Sequence, residues 1–170
     1  MAFTYSKLAE VTVGSGGSAT ITLSNIPQNY NDLVIKLSGR SSRTGFAYDD
    51  LNISFNISTS NFSAKALQGA GVSSPQSFSP SNFIGQLDTT VNTSNTFNSV
   101  DVYIPNYSNS TFKSYSSDSV HEENGTSAYT NFVAGLWSNT SAINQITFIA
   151  GVGNFLQHST ATLYGVKAEV

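Results

Sequence analysis

The sequence predicts an all-β protein: an antiparallel β-sandwich, jelly-roll-like, with roughly ten strands and little helix. Apolar and polar residues alternate with period two from one end of the chain to the other. Gly, Pro, Asn, Asp and Ser cluster between the alternating runs. No long segment repeats apolar residues at the i, i+3, i+4 spacing of a helix face. At 170 residues one domain, 1–170, is expected, large enough to bury a core without staples.

The first strands are read near Leu8–Val13 and Ala19–Ser24, with "GSGG" (Gly14 to Gly17) as the hairpin turn between them. In "LVIKLS", Leu33, Ile35 and Leu37 share a face opposite Val34, Lys36 and Ser38. "LNISFNI" puts Leu51, Ile53, Phe55 and Ile57 on one side, with Asn52, Ser54 and Asn56 on the other. "VDVYI" opposes Val100, Val102 and Ile104 to Asp101 and Tyr103, and Ile146 and Phe148 repeat the scheme. The last strand is Thr160 to Ala168. Loops are expected at 25–32, 41–50, 69–82 and 105–111. "FVAGLW" is apolar on both faces, Phe132, Ala134 and Leu136 against Val133, Gly135 and Trp137, which suits a strand covered by the other sheet or by a neighbouring subunit.

The composition is polar without charge. Ser (28), Thr (17) and Asn (17) make up 62 of 170 residues, and charged residues only 10%, with net charge −3; ordinary domains carry about 25% charged residues. Eleven Phe and eight Tyr argue against disorder. Seven Lys plus Arg spread along the chain exclude a nucleic-acid surface. The start lacks a secretory signal, and no apolar run is long enough to span a bilayer, so a protein made in the cytoplasm without a membrane segment is expected. Cys is absent, which removes disulfides and thiolate metal sites.

Catalytic equipment is scarce, and no enzyme activity, cofactor or metal is expected. "SVHEENG" offers His121, Glu122 and Glu123, but the zinc helix motif needs a second His where Gly125 stands. His158 is placed in a turn or an interface. "VGSGGS" is not a nucleophile elbow. Asp49-Asp50 and Glu122-Glu123 are adjacent, so their side chains diverge, and "YDDLN" is an incomplete calcium loop. A glycan hydrolase would need two carboxylates roughly 5 to 9 Å apart in a cleft, and nothing in the sequence predicts that. Tyr48, Tyr103, Tyr107, Tyr115, Tyr129 and Trp137 are the candidates for an exposed stacking platform, core packing being the commoner use of such residues. A charge-poor surface of hydroxyls and amides instead suits contact with other proteins, because burying unpaired charge is costly.

The ending, "INQITFIAGVGNFLQHSTATLYGVK", resembles one that recurs in small virion proteins of tailed bacteriophages, environmental and marine ones above all: an apolar strand, a G-N-F turn, and a small polar stretch closing with L-Y-G-[IV]. "YSKLAEVTVGSGGSATITLSNIPQNYNDLVIKLSGRSSR" is similar to the same group, as are "VDVYIPNY" and "AGLWSNTSAINQI". Gln157-His158 depart from it, standing where the group carries small residues such as Gly-Ser. In the ending itself, Gly151 and Gly153 permit conformations closed to other residues, and Phe155 and Leu156 can fold back onto the sandwich.

The resemblance implies a non-enzymatic virion structural protein, a capsid decoration or cement protein binding and stabilising the shell lattice. It would work as a homotrimer against the major capsid protein or other virion proteins, in particles assembled in the host bacterial cytoplasm. Phe3, Tyr5, Arg40, Arg43 and Trp137 are the expected contact residues. The alternative is a tail-fibre or receptor-binding module recognising host surface polysaccharide, which would require an exposed aromatic row lining a groove.

Overall fold

A computed structural model describes residues 3–70, 76–125 and 128–168. They contain no helix and form twelve strands: β1 (Phe3–Thr12), β2 (Thr20–Leu23), β3 (Asp32–Ser38), β4 (Tyr48–Phe55), β5 (Phe62–Gly69), β6 (Gln76–Phe78), β7 (Phe83–Asp88), β8 (Ser99–Ile104), β9 (Lys113–Glu122), β10 (Ala128–Trp137), β11 (Ile146–Ala150) and β12 (Thr160–Ala168). Two antiparallel sheets result, an eight-stranded one ordered β1-β12-β3-β8-β9-β10-β5-β6 and a four-stranded one ordered β2-β11-β4-β7. Eight of the eleven steps from strand to strand cross between the two sheets, and the β8-β9-β10 meander stands between β3 and β5.

Alternation dictates the core. Leu33, Ile35 and Leu37 of β3, Leu51, Ile53 and Phe55 of β4, Val100, Val102 and Ile104 of β8, and Ile146 and Phe148 of β11 are buried in one cluster between the sheets. Phe155, the Phe of G-N-F, joins it, folding back onto the sandwich as expected. Trp137 is 1% exposed. Its ring packs edge-on against Phe55 at 5.6 Å and stacks with Phe62 at 6.1 Å.

Several expectations are corrected. "GSGG" does not close a hairpin: β1 pairs with β12 and β2 with β11, so this turn carries the chain from one sheet to the other. Ile57 is not on the core face; β4 ends at Phe55, and Ile57 is 79% exposed. Tyr48 to Asp50 and Gln76 to Phe78, read as loop, are strand. In the ending, Gly151 and Gly153 do not have positive φ, and the left-handed residue is His158, at φ 74°. Gly153 is required for space instead, because a Cβ there would collide with Ser41 Oγ and the Arg43 backbone. β12 pairs on both sides, with β1 and β3, so the last strand is no edge.

Candidate functional site

The interior is occupied by two kinds of side chain. Opposite the apolar cluster, β7 is buried along its whole length against a polar layer from β9 and β10. Gln68 Nε2 donates to Gln86 Oε1 (3.1 Å) and to Asn131 Oδ1 (2.9 Å), and Ser117 Oγ donates to the Ile84 carbonyl (2.7 Å). At the end of this layer His121 Nδ1 lies 3.8 Å from Asp88 Oδ1, with both side chains fully enclosed. Burial pushes Asp88 up to about 6 and holds His121 below its ordinary value. Among the described residues no three His, Asp or Glu side chains converge as metal ligands.

Of the expected contact residues, the structure leaves one on an open face. Tyr5, on edge strand β1, is 60% exposed. The side chain of Phe3 lies outside the described residues. Arg40 is 7% exposed and Trp137 is in the core, which corrects their expected role as surface contacts. The Arg40 guanidinium donates to the carbonyls of Thr93 and Thr96 (2.8 Å each), to Thr96 Oγ1 (2.9 Å) and to the Asn92 carbonyl (3.1 Å). It is an internal clamp on the 89–98 loop. Arg43 lies 4.2 Å over the Phe46 ring, donates to the Tyr48 carbonyl (3.1 Å), and stands 3.6 Å from the buried Asp49 carboxylate. Asp49 accepts from Ser41 Oγ (2.6 Å) and from the amides of Val152 (3.0 Å) and Gly153 (2.9 Å), pinning the glycine turn. His158 is exposed in its turn.

What remains open is the outer face of each sheet. On the four-stranded sheet, cross-strand register aligns Thr22 with Thr147 and Ser54, and Thr20 with Ile149 and Asn52. Thr22 Oγ1 and Thr147 Oγ1 are hydrogen-bonded at 3.1 Å. Of these, Thr20 is exposed and Thr22, Asn52 and Ile149 are half-buried, whereas Ser54 (3%) and Thr147 (9%) are buried, and Asp50 is the exposed charged residue next to them on β4.

The eight-stranded face is different. It carries Tyr5, Leu67, Tyr103, Val120 and Phe132, all exposed, over a trough of about 710 Å³. Two registered rows cross it. Tyr103 stands opposite Ser116, which is opposite Ala134 and then Lys65; Asp101 stands opposite Asp118, then Phe132 and Leu67. Small Ser116 and Ala134 keep the floor low between the aromatic walls. The Tyr103 hydroxyl donates to Asp32 Oδ2 (2.9 Å), which orients its ring. Asp101 is neutralised by Lys36 across the strand boundary, whereas the side chains of Asp118 and Ser116 make no hydrogen bond or ion pair among the described residues.

Of the aromatic candidates only Tyr103 belongs to this trough; Tyr107, Tyr115 and Trp137 are core, and Tyr48 and Tyr129 pack edge-to-face at 5.5 Å. Phe132 gives no sign of exposure in the sequence, because "FVAGLW" reads as apolar on both sides, and only its Val133–Trp137 face is buried.

Fold and faces together describe an all-β sandwich with two contrasting open sheets. Comparison with family models, with curated proteins and with solved structures finds no match to this chain.

Proposed function

We propose that the chain is a non-enzymatic structural protein of a phage particle, a decoration protein that seats its four-stranded face on the capsid shell. One observation carries this reading: the uncharged row of Thr20, Thr22, Asn52 and Ile149, exposed or half-buried across three registered strands. Such a surface loses no charge solvation when covered, and its hydroxyls and amide donate and accept hydrogen bonds wherever the partner presents backbone. The likeness of the two ends of the chain to phage virion proteins supplies the setting. In this reading the partner is the major capsid protein, the protein is displayed as a trimer, and repetition over the lattice compensates for modest individual contacts. The particle forms in the host bacterial cytoplasm.

Quantitative mass spectrometry of purified particles tests it. The expected result is a copy number close to that of the shell lattice, lowered when Thr20 and Thr22 are both changed to Lys. A handful of copies per particle, untouched by that change, would move the protein to a tail fibre or receptor-binding module and end the decoration reading.

A further inference from the structure

We propose that the buried Asp88–His121 pair is a proton-operated latch on the 89–98 loop: with one proton shared between the two side chains the loop is held shut, and without it the loop opens more readily.

Asp88 is the last residue of β7, so the loop leaves directly from it. His121 reaches it from β9, and both side chains are fully enclosed, with 3.8 Å between Asp88 Oδ1 and His121 Nδ1. Among the described residues, Asp88 Oδ2 and both ring nitrogens have no hydrogen-bond partner, and Oδ1 has one long contact, from Asn92 Nδ2 at 3.4 Å. Native proteins leave few buried polar atoms unpaired, and here a proton is what pairs them. A carboxylate can only accept. One proton taken from solvent makes it a donor, and the His121 Nδ1 lone pair is the acceptor beside it. No other bond forms or breaks, and the pair ends neutral and hydrogen-bonded.

The loop is tied to the same spot. Asn92, 5% exposed, is the loop residue set against Asp88. The next residue, Thr93, donates its amide to Glu123 Oε2 (3.0 Å), two positions beyond His121. With Asp88 charged, two carboxylates therefore grip neighbouring loop residues and repel each other. Arg40, bonded to loop carbonyls, opposes that repulsion, and Glu122 adds to it. From β10, Tyr129 packs edge-to-face on His121 (5.0 Å), and from β4, Tyr48 packs on Tyr129 (5.5 Å). Arg43 and Asp49 stand 3.6 Å apart as a pair of their own.

Linkage gives the direction. Burial raises Asp88 to about 6 from 3.8. When the loop opens, water reaches Asp88 and its value returns toward 3.8, so the closed loop binds the proton better. Closure is favoured as pH falls through about 6. His121 lies within the eight-stranded sheet, opposite Tyr129, and stays covered when the loop opens. Its lowered value acts on unfolding of the whole chain and leaves loop opening to Asp88. The loop carries Thr90, Ser94 and Asn95 on one wall of a recess of about 600 Å³, with residues 15–17 and 154–158 on the others. The latch thus governs the shape of that end of the sandwich.

Hydrogen exchange on the intact protein, corrected for the intrinsic pH dependence of amide exchange, tests this. From about pH 7.5 to about pH 5 the opening constant of residues 92–98 is expected to fall about tenfold, while urea midpoints move little. Asp88→Asn should abolish the fall. In the native protein, with no variant needed, the 15N resonance of His121 Nδ1 should shift with a midpoint at about pH 6 as Nδ1 gains its hydrogen bond. The proposal is overturned if residues 92–98 open equally at both pH values, if Asp88→Asn keeps the tenfold change, or if His121 Nδ1 shows no such transition.

Discussion

His121 Nδ1 faces Asp88 Oδ1 at 3.8 Å inside the sandwich, and Asp88 Oδ2 and both imidazole nitrogens have no hydrogen-bond partner among the described residues. Burial raises Asp88 to about 6 from 3.8, with Arg40 opposing and Glu123 and Glu122 reinforcing the rise. The folded protein therefore binds this proton more readily than the unfolded chain does, and stability from Asp88 increases as pH falls through about 6. His121 works the other way. Its folded value is lowered from 6.5 by burial, so the unfolded imidazole takes up a proton that the buried one refuses, and stability is lost as pH falls below 6.5. The native protein should thus show a shallow pH profile in this window. Asp88→Asn should raise stability at neutral pH by about 2 kcal/mol, and leave a profile that falls with acidification. Urea midpoints from about pH 4 to pH 7.5 measure this; a variant that tracks the native protein throughout would refute it.

Asn56 and Ile57 occupy the two central positions of a tight turn, with φ of 50° and 69°, closed by the Ser58 amide donating to the Phe55 carbonyl (2.9 Å). Two positive φ values define a type I′ turn, for which Asn-Gly is preferred and a β-branched second residue is strained. Asn56 is also held by its side chain, which donates to the Ala142 carbonyl (2.8 Å) and accepts from the Asn144 amide (2.9 Å). Ile57→Gly is expected to stabilise the protein by about 1 kcal/mol, since the exposed isoleucine contributes little to the core. A lowered melting temperature would show that Ile57 is held by something other than strain.

Arg40 satisfies four acceptors in the 89–98 loop from a nearly enclosed position. Arg40→Met keeps most of the volume but strands the carbonyls of Asn92 and Thr96, while the Thr93 carbonyl keeps the Thr96 amide and hydroxyl, so a loss of about 2 kcal/mol is expected. Hydrogen exchange should accelerate in residues 92–98 before the rest of the molecule. Uniform acceleration across both sheets would instead make Arg40 a general core residue.

Trp137 and Phe132 lie on the same strand and on opposite faces. Trp137→Ala removes a ring packed on Phe55 and Phe62 and should cost about 3–5 kcal/mol; Phe132→Ala should cost less than about 1 kcal/mol. Denaturant unfolding of the two variants side by side checks the assignment of faces. Equal losses would mean that Phe132 is covered in the folded protein.

Much of the fold was legible along the chain because one physical rule, alternation, governs strands with an apolar inner face. Leu33–Leu37, Leu51–Phe55 and Val100–Ile104 follow it and are buried as it requires. β9 escapes the rule. Its inward residues include Lys113, Ser117, Ser119 and His121, all buried, and its outward ones include Val120, so polarity there does not report direction. The reason lies across the sandwich: β7 brings Gln86 and the Ile84 carbonyl to face β9 and β10, and polar groups satisfy polar groups. No local pattern contains that partner.

For the binding faces, the sequence by itself determined the material: hydroxyls, amides and aromatics in place of charge, on a chain that can make only sheets. Tertiary structure decided where the material went. It placed Arg40 and Trp137 inside and Phe132 outside, since whether an apolar face is covered depends on the length of the opposing sheet. The four-stranded sheet packs on one side of the eight-stranded one and leaves the other side, with Phe132, open.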